Sequence, residues 1–452
     1  MNAVICRTNM SQLPSFLTGA IVAAAVANQA TAHPHLNSMR TTNGIPFTNA
    51  SLPVKSLGTM TVSSPGFAAV LPQNDSPNLF ISSFHPFGSD SVYRIPSAAS
   101  LPANGLSSNT PIERVPGSIT WPNDITYAPA SVFGTDGVLV GGGFLVPGKS
   151  DGGLYYSPNT DSGSSGKWVE IASAGQGWFY HRALLADIDN DGHQEIVSCR
   201  ATRPLFGSTG TMLVTLKPSD PSNPQGAWTE TELGPGCDAL FTVADLDGDG
   251  KPEVIAASYF TSQLNLFHSK ASTGFANPTD VQVVTLDATV GAAFDVQVVD
   301  VNGDGKVDLL VSNHQGDGAT DPSGGVYAYE ITTWKSILDP SAYVRHTLAD
   351  GFPVTQPGFN QASPGSAIAF HPTPGSVQGA AAYIALAGDA AQIAYVLVPV
   401  PGQEWGYTVT ELHDCGCTVG KLAVGDVDGD GYQEVFVPCY DSGRLAGYSF
   451  KA

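Results

Sequence analysis

An acidic motif that recurs four times limits what this chain can fold into more than any other feature of its sequence. Each copy follows the pattern D-x-[DN]-x-D-G-x-x-[DE] and lies between two apolar runs. The four copies are LLADIDNDGHQEIVSCR (184–200), FTVADLDGDGKPEVIAAS (241–258), VQVVDVNGDGKVDLLVSN (296–313) and LAVGDVDGDGYQEVFVPC (422–439). Short runs rich in β-branched residues on either side of a turn predict paired strands. The repeated unit is therefore a strand, an acidic turn and a second strand.

The spacing of the motif predicts a ring of seven units. Its first Asp lies at 187, 245, 300 and 426, so the intervals are 58, 55 and 126 residues. The last interval is twice 63 residues and contains a copy without the acids at 366–389, and two more such copies lie at 67–85 and 125–144. Two further strand-like runs follow each copy. Seven units of four antiparallel strands predict an all-β fold, a seven-bladed β-propeller.

The last unit has only three strands of its own and ends in RLAGYSFKA (444–452). We expect its fourth strand to come from the N-terminal side, between Val54 and Val62, because this pairing closes the ring and removes an exposed edge. The fixed period favours this fold over a β-sandwich. The sequence thus predicts one propeller domain over residues 33–452.

The acidic turns are predicted to bind up to four structural Ca²⁺ ions. Positions 1, 3, 5 and 9 surround one point with oxygen ligands, a set that favours Ca²⁺ over zinc or copper, and the Gly at position 6 permits a sharp turn. An EF-hand is excluded because position 12 is Ser198, Ala256, Val311 or Val437 rather than Glu, and because the flanks alternate as strands. The predicted ligands are Asp187, Asp189, Asp191, Glu195, Asp245, Asp247, Asp249, Glu253, Asp300, Asn302, Asp304, Asp308, Asp426, Asp428, Asp430 and Glu434.

The N-terminal segment and the charge balance predict a secreted protein. Residues 1–32 combine Arg7, an apolar stretch at 16–27 and an Ala-x-Ala exit, as a signal peptide does. Asn49 and Asn74 begin glycosylation sequons. With 19 Lys plus Arg against 40 Asp plus Glu, the net charge of −21 disfavours nucleic acid and membranes as partners. We expect a soluble, extracellular monomer.

Five cysteines remain after the signal peptide, which is too few for a disulfide scaffold. Cys199 and Cys439 each end a second strand, while Cys237, Cys415 and Cys417 precede a first strand. We predict a Cys199–Cys237 bond and a bond from Cys439 to either Cys415 or Cys417.

The face opposite the acidic turns collects one group of side chains from each unit, and these groups differ. The ends of the second strands contribute His85, Phe144, Arg200, Tyr259, His314, Asp389 and Tyr440. Motifs of common hydrolases and nucleotide-binding proteins are absent from the sequence. A glycosidase would need two carboxylates, for which Asp238, Asp295 and Asp389 are available.

Arg, His and Tyr together suit a different reaction, β-elimination from a uronic acid. Arg binds the carboxylate and stabilises the enediolate, His or Tyr takes the C5 proton, and a second such group protonates the leaving oxygen. This is the reaction of polysaccharide lyases. A local Arg patch would also let a strongly acidic protein accept an acidic glycan.

The residues carry two resemblances. The acidic repeats resemble the FG-GAP or VCBS repeats of integrin-like propellers. Through WPNDITYAP (121–129), GGLYYSP (152–158), FYHRALLADIDNDG (179–192) and SCRATR (198–203), the chain resembles secreted propeller lyases of the L-rhamnose-α-1,4-D-glucuronate lyase type. That resemblance implies His85 as base or acid, Arg200 as carboxylate clamp, and Tyr259 and His314 as their partners, acting on a plant-type acidic polysaccharide. The predicted substrate-binding residues are Trp121, His181, Arg182, Arg203 and Tyr440.

Two other functions remain open, a carbohydrate-binding lectin and a sugar dehydratase. A lectin propeller is expected to repeat its binding residues from blade to blade. Here this face differs in every unit, which favours one central site and hence an enzyme. Adhesion through the acidic turns would leave the Arg and His residues unexplained.

Overall fold

The computed structural model describes residues 47–48, 52–73, 76–146, 148–158, 167–173, 175, 177–203, 208–316, 324–355, 361–376 and 379–451. The predicted signal peptide (1–32) and the sequons at Asn49 and Asn74 lie outside the described residues. Within the described part, no helix is long and apolar enough to cross a membrane.

Seven four-stranded antiparallel sheets form the propeller, which confirms the predicted fold. Strands are numbered along the chain from β1 (Phe47–Thr48) and β2 (Lys55–Thr61). Blade 1 contains β3 (Pro65–Gln73), β4 (Ser76–Ser83), β5 (Ser91–Ile95) and β6 (Glu113–Arg114); blade 2 contains β7 (Pro122–Ala128), β8 (Gly137–Gly142), β9 (Gly153–Pro158) and β10 (Val169–Ser173). Blade 3 contains β11 (Phe179–Ala186), β12 (Glu195–Thr202), β13 (Gly210–Pro218) and β14 (Trp228–Gly234); blade 4 contains β15 (Phe241–Ala244), β16 (Glu253–Ser258), β17 (Gln263–Ser269) and β18 (Val281–Asp287).

The remaining blades follow the same order. Blade 5 contains β19 (Ala293–Val299), β20 (Asp308–Asn313), β22 (Gly325–Ile331) and β23 (Tyr343–Asp350); blade 6 contains β25 (Ala367–Phe370), β26 (Tyr383–Ala387), β27 (Ile393–Pro399) and β28 (Tyr407–Asp414); blade 7 contains β29 (Ala423–Gly425), β30 (Glu434–Cys439), β31 (Arg444–Ser449) and β2. A small sheet of β21 (Gln315–Gly316) and β24 (Ala362–Ser363) links blades 5 and 6. Two single-turn helices, α1 (Leu101–Asn104) and α2 (Ala130–Phe133), lie between strands of blades 1 and 2.

The ring closes as the sequence predicts. Strand β2 pairs antiparallel with β31, in a register that sets Lys55 opposite Ser449 and Thr61 opposite Arg444. The N-terminal side of the chain therefore supplies the fourth strand of blade 7 and covers its edge. One pairing was not predicted: β1 adds in parallel to the outer edge of blade 6, with Phe47 opposite Val409.

Seven apolar clusters, one between each pair of adjacent blades, form the core. Successive residues of a second strand point to opposite neighbours. In β12, Ile196 packs with residues of blade 2 and Val197 with residues of blade 4. Because both sides of each sheet are buried, these strands are continuously apolar, which explains the uninterrupted runs in the sequence.

The first strands of neighbouring blades contact one another around the axis, as β7 does with β3 and β11. Because successive strands of a blade run in opposite directions, the loops between them alternate between two faces of the propeller. The loops between first and second strands form one, here called the acidic face. The loops between second and third strands, together with the connections between blades, form the other, here called the opposite face. Each blade places one loop of each kind next to those of its neighbours.

Candidate functional site

The four acidic loops share one hydrogen-bond pattern. In blade 4, Asp245 accepts N–H bonds from Asp249 at 3.1 Å and Gly250 at 2.9 Å, and Glu253 accepts the N–H of Leu246 at 2.9 Å. The corresponding bonds occur in blades 3, 5 and 7. The sixth residue has a φ of 85–89° in all four loops, a conformation that favours glycine.

These loops crowd carboxylates closely enough to suit a hard cation. In blades 3, 4 and 7, the ligand oxygens at positions 1, 3 and 9 lie within 4.8 Å of one another. Burial, and then the neighbouring carboxylates, raise the pKa of Glu195, Asp308 and Glu434 to about 7. A set of oxygen donors that repel one another without a counter-ion fits Ca²⁺.

On the opposite face, blades 4, 5 and 6 bring Tyr259, His314 and Asp389 together. His314 Nε2 lies 2.9 Å from Asp389 Oδ2, and the rings of Tyr259 and His314 are 5.9 Å apart between centroids. Phe294 also packs on the imidazole, at 4.8 Å. Because an ionised carboxylate can only accept, this contact sets the proton on Nε2. Nδ1 is buried and has no hydrogen-bond partner among the described residues.

Blade 3 adds a positive charge to this cluster. The guanidinium of Arg203, an exposed residue that follows β12, lies 5.5 Å from the ring of Phe260. Burial raises the pKa of Tyr259; the charge of Arg203 opposes that rise, and the charge of Asp389 adds to it. Tyr259 therefore carries its proton at neutral pH and is suited to donate it.

Asp238 holds the turn that carries Tyr259. Its buried carboxylate accepts the N–H of Tyr259 at 2.6 Å and that of Phe260 at 3.1 Å. Burial raises the pKa of Asp238 to about 7. The backbone oxygen of Asp238 in turn lies 2.9 Å from Nδ1 of His181. Asp238 thus positions residues from two blades.

Asp389 itself adopts a left-handed backbone, with a φ of 51°. This conformation is unfavourable for a residue other than glycine and is found disproportionately at functional sites. The backbone carbonyl oxygen of Asp389 accepts hydrogen bonds from the N–H of Gln392 at 2.9 Å and from the N–H of Val419 at 3.2 Å. Blade 7 therefore helps to hold this residue of blade 6.

Two disulfides brace the opposite face, which confirms the predicted pairs. Cys199 is bonded to Cys237, with Cα atoms 5.2 Å apart, and Cys415 is bonded to Cys439, with Cα atoms 5.4 Å apart. Of the two candidates for the second bond, the structure uses Cys415. The first bond ties the end of β12 to the residue before Asp238.

A row of aromatic rings crosses blades 7, 1, 2 and 3 on the same face. Phe84 lies 5.4 Å from Tyr440 and 4.6 Å from Trp121 between ring centroids. Trp121 stacks on Phe144 at 5.7 Å, and Phe144 lies 5.7 Å from His181. Trp121 is buried within this row. Three predicted substrate-binding residues thus belong to one aromatic network.

The predicted catalytic residues fall into three places. Tyr259 and His314 contact each other, as described above. His85 is exposed on blade 1, where its Nδ1 accepts the N–H of Phe87 at 3.1 Å. Arg200 forms ion pairs with Glu232 and, at 2.6 Å, with Glu230, all within blade 3. No described contact joins His85 or Arg200 to His314.

Arg182, predicted to bind substrate, lies in a buried ionic network at the axis. It contacts Asp124 of blade 2 at 2.6 Å and Asp295 of blade 5 at 3.2 Å. Lys421, which precedes β29, reaches the same Asp124 at 2.6 Å. These buried ion pairs join four blades. Arg182 is only 8% exposed, so it holds blades together rather than facing a substrate.

Asp389 and Asp238 were not among the predicted site residues, although both appeared as candidate carboxylates. Asp389 ends the acid-free copy at 366–389, and Asp238 follows a cysteine that was expected to form a bond. These positions in the sequence, at the end of one repeat copy and next to a cysteine, were the features that could have indicated them as site residues. The network of Asp124 and Lys421 had no such signal, because its members are 297 residues apart.

Comparisons with known proteins agree with the fold. The family described as FG-GAP-like repeat matches residues 245–311, which span the acidic loops of blades 4 and 5. No curated protein matches the sequence. The chain is therefore a seven-bladed β-propeller that carries an FG-GAP-like repeat.

Among solved structures, the chain is similar to a luciferin-regenerating enzyme, with 10% identity and a TM-score of 0.40, over 73% of this chain and 85% of that one. It is also similar to prolyl oligopeptidase B from Galerina marginata, with 10% identity and a TM-score of 0.38, over 83% of this chain and 46% of that one. An auxiliary nutrient binding protein from Bacteroides thetaiotaomicron gives 9% identity and a TM-score of 0.37, over 89% and 98% of the two chains. These likenesses are too distant to indicate an activity.

Proposed function

We propose that this chain is a secreted polysaccharide lyase that cleaves a glycosidic bond to glucuronate by β-elimination. The observation that carries the proposal is the His314–Asp389 pair beside Tyr259 and Arg203. In this cluster a base, an acid and a cation come from different blades, at one place on the non-repeating face. The resemblance of the sequence to rhamnosyl-glucuronate lyases favours that linkage.

Each residue of the cluster has a role in the reaction. Arg203 binds the carboxylate of the uronate and stabilises the negative charge that develops on it. Nδ1 of His314, which has to be uncovered as the glycan binds, takes the C5 proton, while Asp389 orients the ring and stabilises the imidazolium that forms. The electrons of the C5–H bond form the C4–C5 double bond, and the C4–O bond breaks. The hydroxyl of Tyr259 gives its proton to the leaving oxygen.

This assignment departs from the sequence-based one in two roles. We assign the carboxylate to Arg203 because its charge acts on Tyr259, whereas the ion pairs of Arg200 lie within blade 3. We assign the base to His314 rather than to His85, because His314 has both an orienting carboxylate and a neighbouring acid. The acidic polysaccharide is then attracted locally, against the overall charge of −21.

We also propose that the acidic loops bind Ca²⁺ with a structural role. In a loop that holds the ion, the ligands are the side chains at positions 1, 3, 5 and 9. The loops lie on the face away from Tyr259 and His314, so the ion would neutralise repelling carboxylates and hold the first two strands of a blade together. The reaction steps above do not involve it.

The lyase proposal is tested by the ultraviolet absorbance of the unsaturated uronate formed from glucuronate-containing glycans. His314→Gln and Tyr259→Phe are each expected to lower kcat at least 100-fold, the usual contribution of a general acid or base. His85→Gln, which changes an exposed histidine outside the cluster, is the matched control and is expected to keep wild-type turnover. Loss of turnover in the His85 variant, with turnover kept in the His314 variant, would contradict the assignment.

A lectin is the second candidate. The observation in its favour is the aromatic row, in which the partly exposed rings of Phe84 and Phe144 can pack against sugar faces. The same assay separates the two functions. Glycan retained by the protein without any new ultraviolet absorbance would favour the lectin. A product with the absorbance of an unsaturated uronate would exclude it as the sole function.

A further inference from the structure

We infer that Lys217 takes the place of calcium in the acidic loop of blade 3, so that the chain binds three calcium ions rather than four. This inference rests on the calcium binding proposed for the other loops. The four loops have the same spacing of oxygen ligands, although blade 5 has Asn302 where the others have Asp. They face different residues on the third strand of their blades, and that residue decides whether a lysine reaches the inner oxygens of the loop.

One position on the third strand lies opposite the ninth residue of every loop. The register of β12 with β13 sets Leu216 opposite Ile196, and the equivalent pairs in blades 4 and 5 are Phe267 with Val254 and Tyr329 with Leu309. Continued by one residue, this register sets Lys217 beside Glu195, His268 beside Glu253 and Glu330 beside Asp308. In blade 7 the equivalent pair, Ser449 with Glu434, is part of the ladder itself. Only blade 3 has a lysine there.

The ammonium of Lys217 lies among the predicted ligands themselves. Its Nζ contacts Asp189, is 2.7 Å from Asp191 Oδ2 and is 3.4 Å from Glu195 Oε1. These are the third, fifth and ninth residues of the loop. The amino group therefore occupies the point around which these oxygens would surround an ion.

Lysines near the other loops are placed differently. Lys251, Lys306 and Lys451 pair with the fifth residue of their loops, at 2.8, 3.0 and 2.7 Å. In the described contacts, none of them reaches the third or the ninth residue as well. In blade 7, Ser449 instead donates a neutral hydrogen bond to Glu434 at 2.7 Å. These loops keep the inner oxygens free of a lysine.

Packing does not force Lys217 into this position. The side chain is 41% exposed and borders an open cavity of about 390 Å³, whose wall also includes Thr215 and Thr229. The ammonium nevertheless lies on the carboxylates, as their attraction predicts. Calcium can enter only when this ammonium moves aside, which removes its contacts with Asp189, Asp191 and Glu195.

Equilibrium dialysis of the purified protein, stripped with a chelator and then exposed to excess CaCl₂, counts the bound ions directly. We expect three ions per chain for the wild type and four for Lys217→Ser, which gives blade 3 the residue that blade 7 has. The matched control is Lys306→Ser, which removes a lysine that contacts only Asp304, and it should stay at three. The reciprocal variant Ser449→Lys should fall to two.

Four ions in the wild type would overturn the inference, and so would three ions in a folded Lys217→Ser protein. If that variant does not fold, Ser449→Lys decides, because two ions support the inference and three contradict it. A wild type that binds no calcium would overturn the proposed calcium binding itself, and this inference with it. The experiment does not measure lyase activity. A failure of the proposed lyase reaction would therefore leave its result unchanged.

Discussion

Nε2 of His314 lies 2.9 Å from Oδ2 of Asp389, although the two residues belong to different blades and are 75 positions apart in the chain. His314 follows β20 of blade 5, and Asp389 follows β26 of blade 6. The short β21–β24 pairing begins at the residue after His314 and ties the same two blades together. The contact is therefore part of the seam between blades.

Asp389→Asn should lower kcat about 100-fold and leave KM nearly unchanged, because an amide cannot stabilise the imidazolium as a carboxylate does. Initial rates over a range of substrate concentrations measure kcat and KM. Asp414→Asn, a change at an exposed acid elsewhere in blade 6, is the control. An unchanged kcat in Asp389→Asn would assign Asp389 a purely structural role.

Removal of calcium should lower the melting temperature more than it lowers turnover at room temperature. An ion bound to the folded state at 100 times its Kd contributes about 2.7 kcal/mol per site. The loops lie on the acidic face, away from Tyr259 and His314. Thermal unfolding and initial rates, each with excess EDTA and then with CaCl₂ restored, make the comparison. Loss of turnover with an unchanged melting temperature would contradict a structural role for the ion.

Arg182→Met should destabilise the fold by about 3–5 kcal/mol, because it leaves Asp124 and Asp295 with less compensation inside the protein. Urea unfolding measures the loss. The double variant Arg182→Met/Asp295→Leu should recover part of it, since one uncompensated charge is then removed. Arg114→Met changes an exposed arginine of blade 1 and should cost much less stability. Equal losses of stability in the Arg182 and Arg114 variants would show that burial of the network adds little to the stability of the fold.

The same ionic network should make the free energy of unfolding depend on pH in the acidic range. Burial alone would raise the pKa of Asp124, but Lys421 and Arg182 hold it at about 2, below its ordinary 3.8. A lowered carboxyl pKa contributes stability that is complete above about pH 4 and is lost as pH falls through 2. The wild type should therefore lose about 2 kcal/mol between pH 5 and pH 2 that Asp124→Asn does not lose. Parallel unfolding curves for the two proteins would contradict this.

Replacing both Cys199 and Cys237 by Ser should cost about 3 kcal/mol of stability, the usual effect of opening a loop of this length. It should also reduce kcat, because Cys237 adjoins the Asp238 that holds the turn of Tyr259. The Cys415→Ser/Cys439→Ser variant opens a loop of similar length and serves as the comparison. Thermal melts and initial rates are measured on both. A larger loss of kcat in the second variant would weaken the role given to Asp238.

The fold could be predicted because its information is local and repeated. Each acidic motif marks a turn between two strands, and the intervals between Asp187, Asp245, Asp300 and Asp426 count the blades even where the acids are missing. Closure by β2 followed from the missing strand in the last unit. The parallel addition of β1 to blade 6 could not be predicted, because a two-residue strand has no pattern of its own.

The site was predicted less completely because its contacts are not local. The sequence indicated which face holds Arg200, Tyr259 and His314, since strand ends alternate between faces. It did not indicate that Glu230 and Glu232 engage Arg200, or that Asp389 reaches His314. The direction of a strand decides on which face its last side chain lies. The residue that this side chain contacts depends on how the neighbouring blades are rotated and packed.

The sequence alone thus determined the number of blades, their acidic turns and the face on which the cysteines lie, because periodicity and strand direction are properties of the chain. The tertiary structure alone decided which charges meet. Arg182 and Lys421 meet Asp124 at the axis, and Lys217 meets the carboxylates of its own blade. Such encounters follow from side-chain positions in space, and a charge is left available to a ligand only where no neighbouring strand neutralises it.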